Sequence, residues 1–308
     1  MNATLIVYAL NLSAIYALMA IGISLLWSSI GMLNMAHGAT FAVAGYGALV
    51  IGDALVPGLD AALRGSALLP YARFAVLLAA GVGVGALFGG LIYLLAFLPI
   101  HDKDNFAVRG LIVTLAINLA TVQALLWWFG PRQRALPQIF GFGRIELFGV
   151  PIRYDQAATI TATALLLIGV LAWLKYSRKG LEIRAMMQNP EGAALSGISV
   201  RRAALPVIMV TGAMAGAAAV LLSQSVFVSP TAGAMPLIKG MIIALLGGLG
   251  SVPGAALAAL LIGGLEAATG AIPFLGQRMV LLVQFGFIIL VLVIRPRGIG
   301  GLLDETRK

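Results

Sequence analysis

Six stretches of this chain, 4–27, 74–98, 110–129, 156–175, 204–227 and 278–294, are predominantly apolar, and their only charged residues, Lys175 and Arg278, stand at an edge. About 20 such residues are needed to cross a hydrocarbon core roughly 30 Å thick. No water inside that core pairs with a free backbone N–H or C=O. Each run therefore reads as a membrane helix. Two further runs, near 38–56 and 236–270, are interrupted by Gly and Pro. The second is either one helix with a re-entrant piece or two short helices. The expected fold is all-α: a polytopic transmembrane helical bundle of eight or nine segments, some broken or re-entrant, forming a single domain over 1–308.

Composition agrees. The chain is 61% hydrophobic and 10% charged, against about 45–50% and about 25% in soluble domains. Its net charge of +9 reads as a topology signal rather than a nucleic-acid footprint, because Lys and Arg concentrate on the cytoplasmic side of membrane proteins. Lys175, Arg178, Lys179, Arg184, Arg201 and Arg202 crowd one loop, 176–203 and its edge, and Arg295, Arg297, Arg307 and Lys308 crowd the C-terminal end. Both read as cytoplasmic. Counting back from the loop puts 130–155, 57–73 and the N-terminus outside. Arg132, Arg134, Arg144 and Arg153 then lie outside as well, where "FGFGRIELFGVPI" has the short alternating stretches of a surface hairpin. The first apolar run has no basic residue before it and exceeds 20 residues, as expected of a retained helix rather than a cleaved signal peptide.

Much chemistry is absent. No lysine follows a glycine, so there is no Walker A loop to hold ATP. Without cysteine, and with two histidines and no HExxH, neither a thiolate metal site nor a zinc protease is possible. No metal site and no cofactor is expected. Asp53 and Glu266 are placed near helix ends, which leaves little of the intramembrane carboxylate relay a proton-coupled carrier needs. The pattern is that of a pathway without an engine of its own.

The loop carries a local signal. In "GLEIRAMMQNPEGAALSGISVRR", Asn189 suits an N-cap, Pro190 the first helical position and Glu191 the positive helix end. Gly197 suits a stop. A helix of about two turns over 190–196, carrying Ala193, Ala194 and Leu195, is expected. It is either a capped connector or a docking helix.

The stretch "NPEGAALSGISV" resembles the Glu-Ala-Ala-xxx-Gly coupling loop of ABC-importer permeases, with Glu191, Gly192, Ala193 and Gly197 in register. Gly192 replaces the usual first alanine, and Leu205-Pro206 comes too early to complete the general motif. Together with "GMLNMAHG", "RAMMQNPEGAALSGI", "ALLGGLGSVPGAALAALLIGGLEA" and "VIRPRGIGG", it resembles the branched-chain amino acid permeases of the LivH type, over about residues 10–303. That resemblance implies one membrane subunit of a bacterial inner-membrane ABC importer, carrying branched-chain or other hydrophobic amino acids. It implies a second permease subunit, similar or identical, and two ATPase subunits that hold ATP and Mg. It also implies a periplasmic substrate-binding protein. Coupling to the ATPases would fall to Arg184, Asn189, Pro190, Glu191, Ala193, Ala194 and Gly197.

The broken segments "GMLNMAHG" (31–38) and "GGLGSVPG" (247–254) match at their outer glycines and their leucine. Glycine- or proline-interrupted segments in both halves of a transporter point to its pathway. The candidate pathway residues are Gly31, Asn34, His37, Gly38, Gly248, Gly250 and Pro253, with Asn34 and His37 expected to tie the first turn by hydrogen bonds. If the two segments form a repeat, they share one membrane surface. Asn118, Gln123, Gln224 and Gln284 read as helix-to-helix hydrogen bonders, and Gly81, Gly83, Gly85, Gly89 and Gly90 as points of close helix approach. The rivals are the same machine for urea, short amides or other amino acids, an autonomous carrier or channel, and a scaffold that moves no solute.

Overall fold

The computed structural model describes residues 3–137, 139, 143–147, 149–272, 276–295 and 298–302. Arg297, Arg307 and Lys308, counted above toward the C-terminal charge, lie outside them, as do Phe140, Gly141, Phe142 and Phe148 of the outer loop.

Among the described residues seven helices are long and apolar enough to cross a membrane: α1 (Ala3–Ile30), α2 (His37–Ala62), α3 (Leu69–Ile100), α4 (Phe106–Phe129), α5 (Tyr154–Tyr176), α8 (Val200–Ser223) and α10 (Val252–Ala271). Two shorter apolar helices, α9 (Ala234–Gly247) and α11 (Val280–Ile294), bring the total to nine. The stretch 236–270 is thus two helices joined at 248–251. Two polar helices, α6 (Arg178–Gln188) and α7 (Pro190–Leu195), occupy the basic loop. The expected hairpin is present, β1 (Arg144–Leu147) pairing antiparallel with β2 (Val150–Arg153), with Arg144 opposite Arg153.

α1 and α8 form the centre. In their most apolar windows 72% and 67% of residues are buried, against 17% in α4 and 22% in α5. Small residues allow this. Membrane helices gain no hydrophobic driving force from each other, so association depends on close packing. On α3, Gly81, Gly85 and Gly89 recur every fourth residue and therefore line one face. A Cβ on Gly85 would overlap the Gly212 carbonyl of α8, and one on Gly81 would lie 2.9 Å from the Gly216 carbonyl. A Cβ on Gly89 would meet the Ile208 carbonyl at 2.5 Å. Gly83 and Gly90 do not share this role: Gly83 faces open space, and Gly90 would meet only the Met209 side chain, at 3.8 Å. A period of 3.6 turns Gly83 away from α8 and leaves Gly90 at the edge of the contact, where a side chain of α8 reaches it at ordinary distance.

Leu25, Leu26, Met32, Ile92, Phe97, Ile183, Ala204 and Ile208 pack together at the end of the bundle that carries α6. At the hairpin end, the backbones of Arg134 and Val228 exchange hydrogen bonds of 2.9 and 2.8 Å.

Glu266 corrects the sequence expectation. It is not at a solvated helix end but 7% exposed within α10, ion-paired with Lys239 of α9 at 2.7 Å. Asp53 lies within α2, exposed. Of the four amides, Gln284 does bond across helices, donating to Glu266 Oε2 at 2.9 Å. Gln123 faces outward on α4, Asn118 is half-buried there with no cross-helix bond among the described residues, and Gln224 buries an Nε2 with no partner among them.

Gly85→Val should lower the unfolding free energy by about 1–3 kcal/mol, the usual cost of overpacking. Gly83→Val, on the open face, should leave it nearly unchanged. Thermal unfolding of the two purified variants in one detergent measures the difference.

Candidate functional site

Both broken segments pack on the same stretch of α1. α1 ends at Ile30, and Gly31 turns the chain with φ +72°, a conformation that L side chains rarely adopt. The chain then runs back through 31–36, and α2 starts beside Gly22: a Cβ there would sit 3.3 Å from the His37 ring. Gly22 is eight residues before Ile30, or about 12 Å along the axis. The start of α2 is therefore re-entrant, well inside the bundle. The second break, 248–251, lies close by. Gly250 N–H donates to Ser24 Oγ at 3.1 Å, and Leu33 and Leu249 pack against one cluster of Ile23, Leu237 and Ala244. The two segments share one side of the molecule, as a repeat requires.

Freed backbone groups at such depth need internal partners. Asn34 supplies one: its Oδ1 accepts from Ala36 N–H at 2.9 Å, and its carbonyl accepts from His37 N–H at 3.2 Å. Thr114 of α4 supplies another, accepting from Met35 N–H at 3.0 Å. His37 does not tie the turn with its side chain as expected. The ring is 1% exposed, and its Nε2 has no hydrogen-bond partner among the described residues. Gly22, lacking a side chain, leaves the ring its place. Pro253 stands in the first turn of α10, behind the N-cap Ser251, whose hydroxyl accepts from Gly254 N–H at 3.1 Å.

A second helix start reaches the same place. After α8 the chain passes Val228, which lies against Gly45 of α2, and arrives at Gly233, which lies against Gly38. A Cβ on Gly38 would be 2.8 Å from the Gly233 carbonyl, and one on Gly233 would overlap the Gly38 carbonyl. The starts of α2 and α9 thus touch inside the bundle. Each start carries the partial positive charge of its helix dipole. Chemically, the pair favours a carboxylate nearby. Gly233 and Thr114 are not among the sequence candidates. "TAGAMP" reads as one more small-residue run in a glycine-rich chain, and a threonine within an apolar helix carries no signal of its own.

The polar loop is built as its residues predict. Asn189 caps α7, its Oδ1 accepting from Gly192 N–H at 2.9 Å. α7 is a turn and a half, ending at Leu195, and Gly197 closes it with φ +86° while its N–H donates to the Ala194 carbonyl at 3.0 Å. Ala193 is buried against Met186 and Ala203. Glu191 and Ala194 face outward, and Leu195 is 91% exposed. Arg184 is held back on the loop itself, donating to the Lys175 carbonyl at 3.0 Å. The sequence candidates form two groups. Gly31, Asn34, His37, Gly38, Gly248, Gly250 and Pro253 gather about the broken segments, and Asn189 to Gly197 form the knob of α7, with Ala193 buried beneath it and Arg184 apart on α6.

Comparison with known proteins matches residues 5–292 to a family described as the permease component of branched-chain amino acid transport systems. The chain is 33% identical over 302 residues to the high-affinity branched-chain amino acid transport system permease protein BraD of Pseudomonas aeruginosa, covering 96% of this chain and 94% of that protein. It is 31% identical over 297 residues to the LivH permease protein of Salmonella typhimurium, covering 94% and 92%. A probable branched-chain amino acid transport permease of Methanocaldococcus jannaschii is 28% identical over 262 residues, covering 83% and 77%.

Asn34→Leu removes the acceptor for Ala36 N–H while keeping similar volume. It should cost about 1–3 kcal/mol, as for a buried donor left unpaired, read as a lower unfolding temperature beside Asn118→Leu, which should show little change.

Proposed function

The chain belongs to the permease-component family of branched-chain amino acid transport systems, and from that premise we propose that it is the membrane subunit of an ATP-driven bacterial importer for branched-chain or other hydrophobic amino acids. It acts with a second permease subunit, similar or identical, two ATPase subunits that hold ATP and Mg, and a periplasmic binding protein that delivers the solute. It sits in the inner membrane with the N-terminus periplasmic and the loop 176–203 and the C-terminus cytoplasmic. The names of the relatives favour a branched-chain amino acid over urea or a short amide as the solute.

The observation that carries this reading is the knob at α7. A leucine 91% exposed on a polar loop, beside an outward carboxylate and a small-residue face, suits insertion into a cleft of another protein. Burying that leucine against a partner would remove most of its apolar surface from water. The knob is also tied to the bundle. Ala193 rests on Met186 of α6, and α6 places Ile183 in one cluster with Leu25, Leu26 and Met32. Met32 belongs to the first break. Movement imposed on α7 by partner ATPases therefore has a packed route to the re-entrant segments. There the two helix starts favour the carboxylate of the passing amino acid, and the apolar walls suit its side chain.

Glu191→Arg and Leu195→Asp should each lower uptake at least tenfold, with normal amounts of protein in the membrane and loss of co-purifying ATPase subunits. Reconstituted protein without ATPase subunits should pass no amino acid. Wild-type uptake by both variants removes the docking assignment, and flux without ATPases favours an autonomous carrier.

A further inference from the structure

Lys239, Glu266, Tyr16 and Gln284 come from four helices, α9, α10, α1 and α11, and meet within the bundle. Lys239 Nζ donates to Glu266 Oε1 and Oε2 and to the Tyr16 hydroxyl, each at 2.7 Å. The Tyr16 hydroxyl and Gln284 Nε2 both donate to Glu266 Oε2 at 2.9 Å. Tyr16, Glu266 and Gln284 are 5%, 7% and 1% exposed, and the Lys239 side chain is 12% exposed. The ammonium has three protons, and three acceptors surround it. The two charges cancel, and each ammonium proton has an acceptor within the network.

Stability alone does not account for it. A charge in a membrane segment is costly to insert, and apolar residues of similar volume often replace a buried pair without loss. What a closed polar network adds is a unique geometry. α9 is short of one: its 14 residues lie between the irregular stretches 224–233 and 248–251. It rests on α1 through Gly240, against Met19 and Ile23. Lipid gives α9 no hydrophobic reason to keep one register, so the glycine contact and the polar bonds must set it. A slide of one residue moves Lys239 by about 1.5 Å and breaks its bonds. The start of α9, six residues before Lys239, is where Gly233 meets Gly38.

We propose that the Lys239–Glu266–Tyr16–Gln284 network is a positioning device that sets the register of α9 on α1 and so holds the start of α9 against the start of α2. Its link to transport rests on the pathway reading above; the register itself does not.

The single variant Lys239→Met leaves a buried unpaired carboxylate and confounds folding with position. Lys239→Met/Glu266→Gln removes both charges and keeps an amide for Tyr16 and Gln284. The natural chain has no cysteine, so Met19→Cys/Gly240→Cys can report on the contact: their Cβ positions are 3.0 Å apart, a few tenths of an ångström inside the usual disulfide spacing, and the reduced reporter in the otherwise natural chain is the reference for every comparison. In membranes holding the whole transporter, the double variant should insert in normal amount, and oxidative cross-linking of the reporter pair should fall at least fivefold. In the cysteine-free background, its maximal uptake rate should fall at least tenfold. Unchanged cross-linking overturns the proposal whatever uptake does. Lost cross-linking with normal uptake supports the register role and instead overturns the placing of the α2 and α9 starts on the pathway. If the double variant does not insert, Tyr16→Phe, which deletes only the bridging hydroxyl, is read in the same assay: a lower yield supports the proposal and an equal yield overturns it.

Discussion

A backbone N–H or C=O inside a bilayer has no water to bond, and the architecture follows from how this chain meets that condition. Long helices satisfy it without help. The segments 31–36 and 248–251 interrupt helices near one another, and side chains, two of their own and two from other helices, accept the freed N–H groups there. Asn34 accepts from Ala36, Thr114 from Met35, Ser24 from Gly250 and Ser251 from Gly254. Irregular backbone is tolerated at membrane depth where protein buries it or where it lines a cavity. Here it is buried or half-buried, and the segment 31–36 leads into an α2 start that meets the start of α9.

Close approach is the second requirement. With no hydrophobic gain on association in lipid, contact area and backbone proximity must hold the helices. The α3–α8 contact meets this with glycines on one stripe of each helix, and the Gly38–Gly233 contact repeats the device at the re-entrant starts. The same geometry explains the division of labour among helices. α1 and α8 are enclosed, whereas α4 and α5 present most of their apolar surface outward, as helices facing lipid or another subunit would.

Much was legible beforehand where the signal is local. The capped helix after Asn189, its stop at Gly197 and the hairpin at 144–153 depend on near neighbours in sequence, and each is where the residues place it. The breaks at Gly31 and Gly248 were legible for the same reason. Other features depend on partners distant in sequence. Glu266 and Lys239 are 27 residues apart, and Tyr16 is 250 from Glu266; nothing local marks a carboxylate in an alanine- and glycine-rich run as half of an ion pair. His37 attracted notice as a rare residue in a polar patch, yet its ring lies against Gly22 and the turn is held by Asn34 and Thr114.

By itself the sequence determined the class of molecule. Apolar length and the dearth of charge require a helical membrane protein, because burial in lipid is a property each segment carries alone; four motifs in order carry the resemblance to the permease family. Only the tertiary structure decided which glycines touch, which polar groups pair and where the broken ends meet. Those contacts join residues tens to hundreds of positions apart, at distances of a few ångströms. An isolated helix in lipid has no preference for one apolar neighbour over another until backbone contact and hydrogen bonding select it.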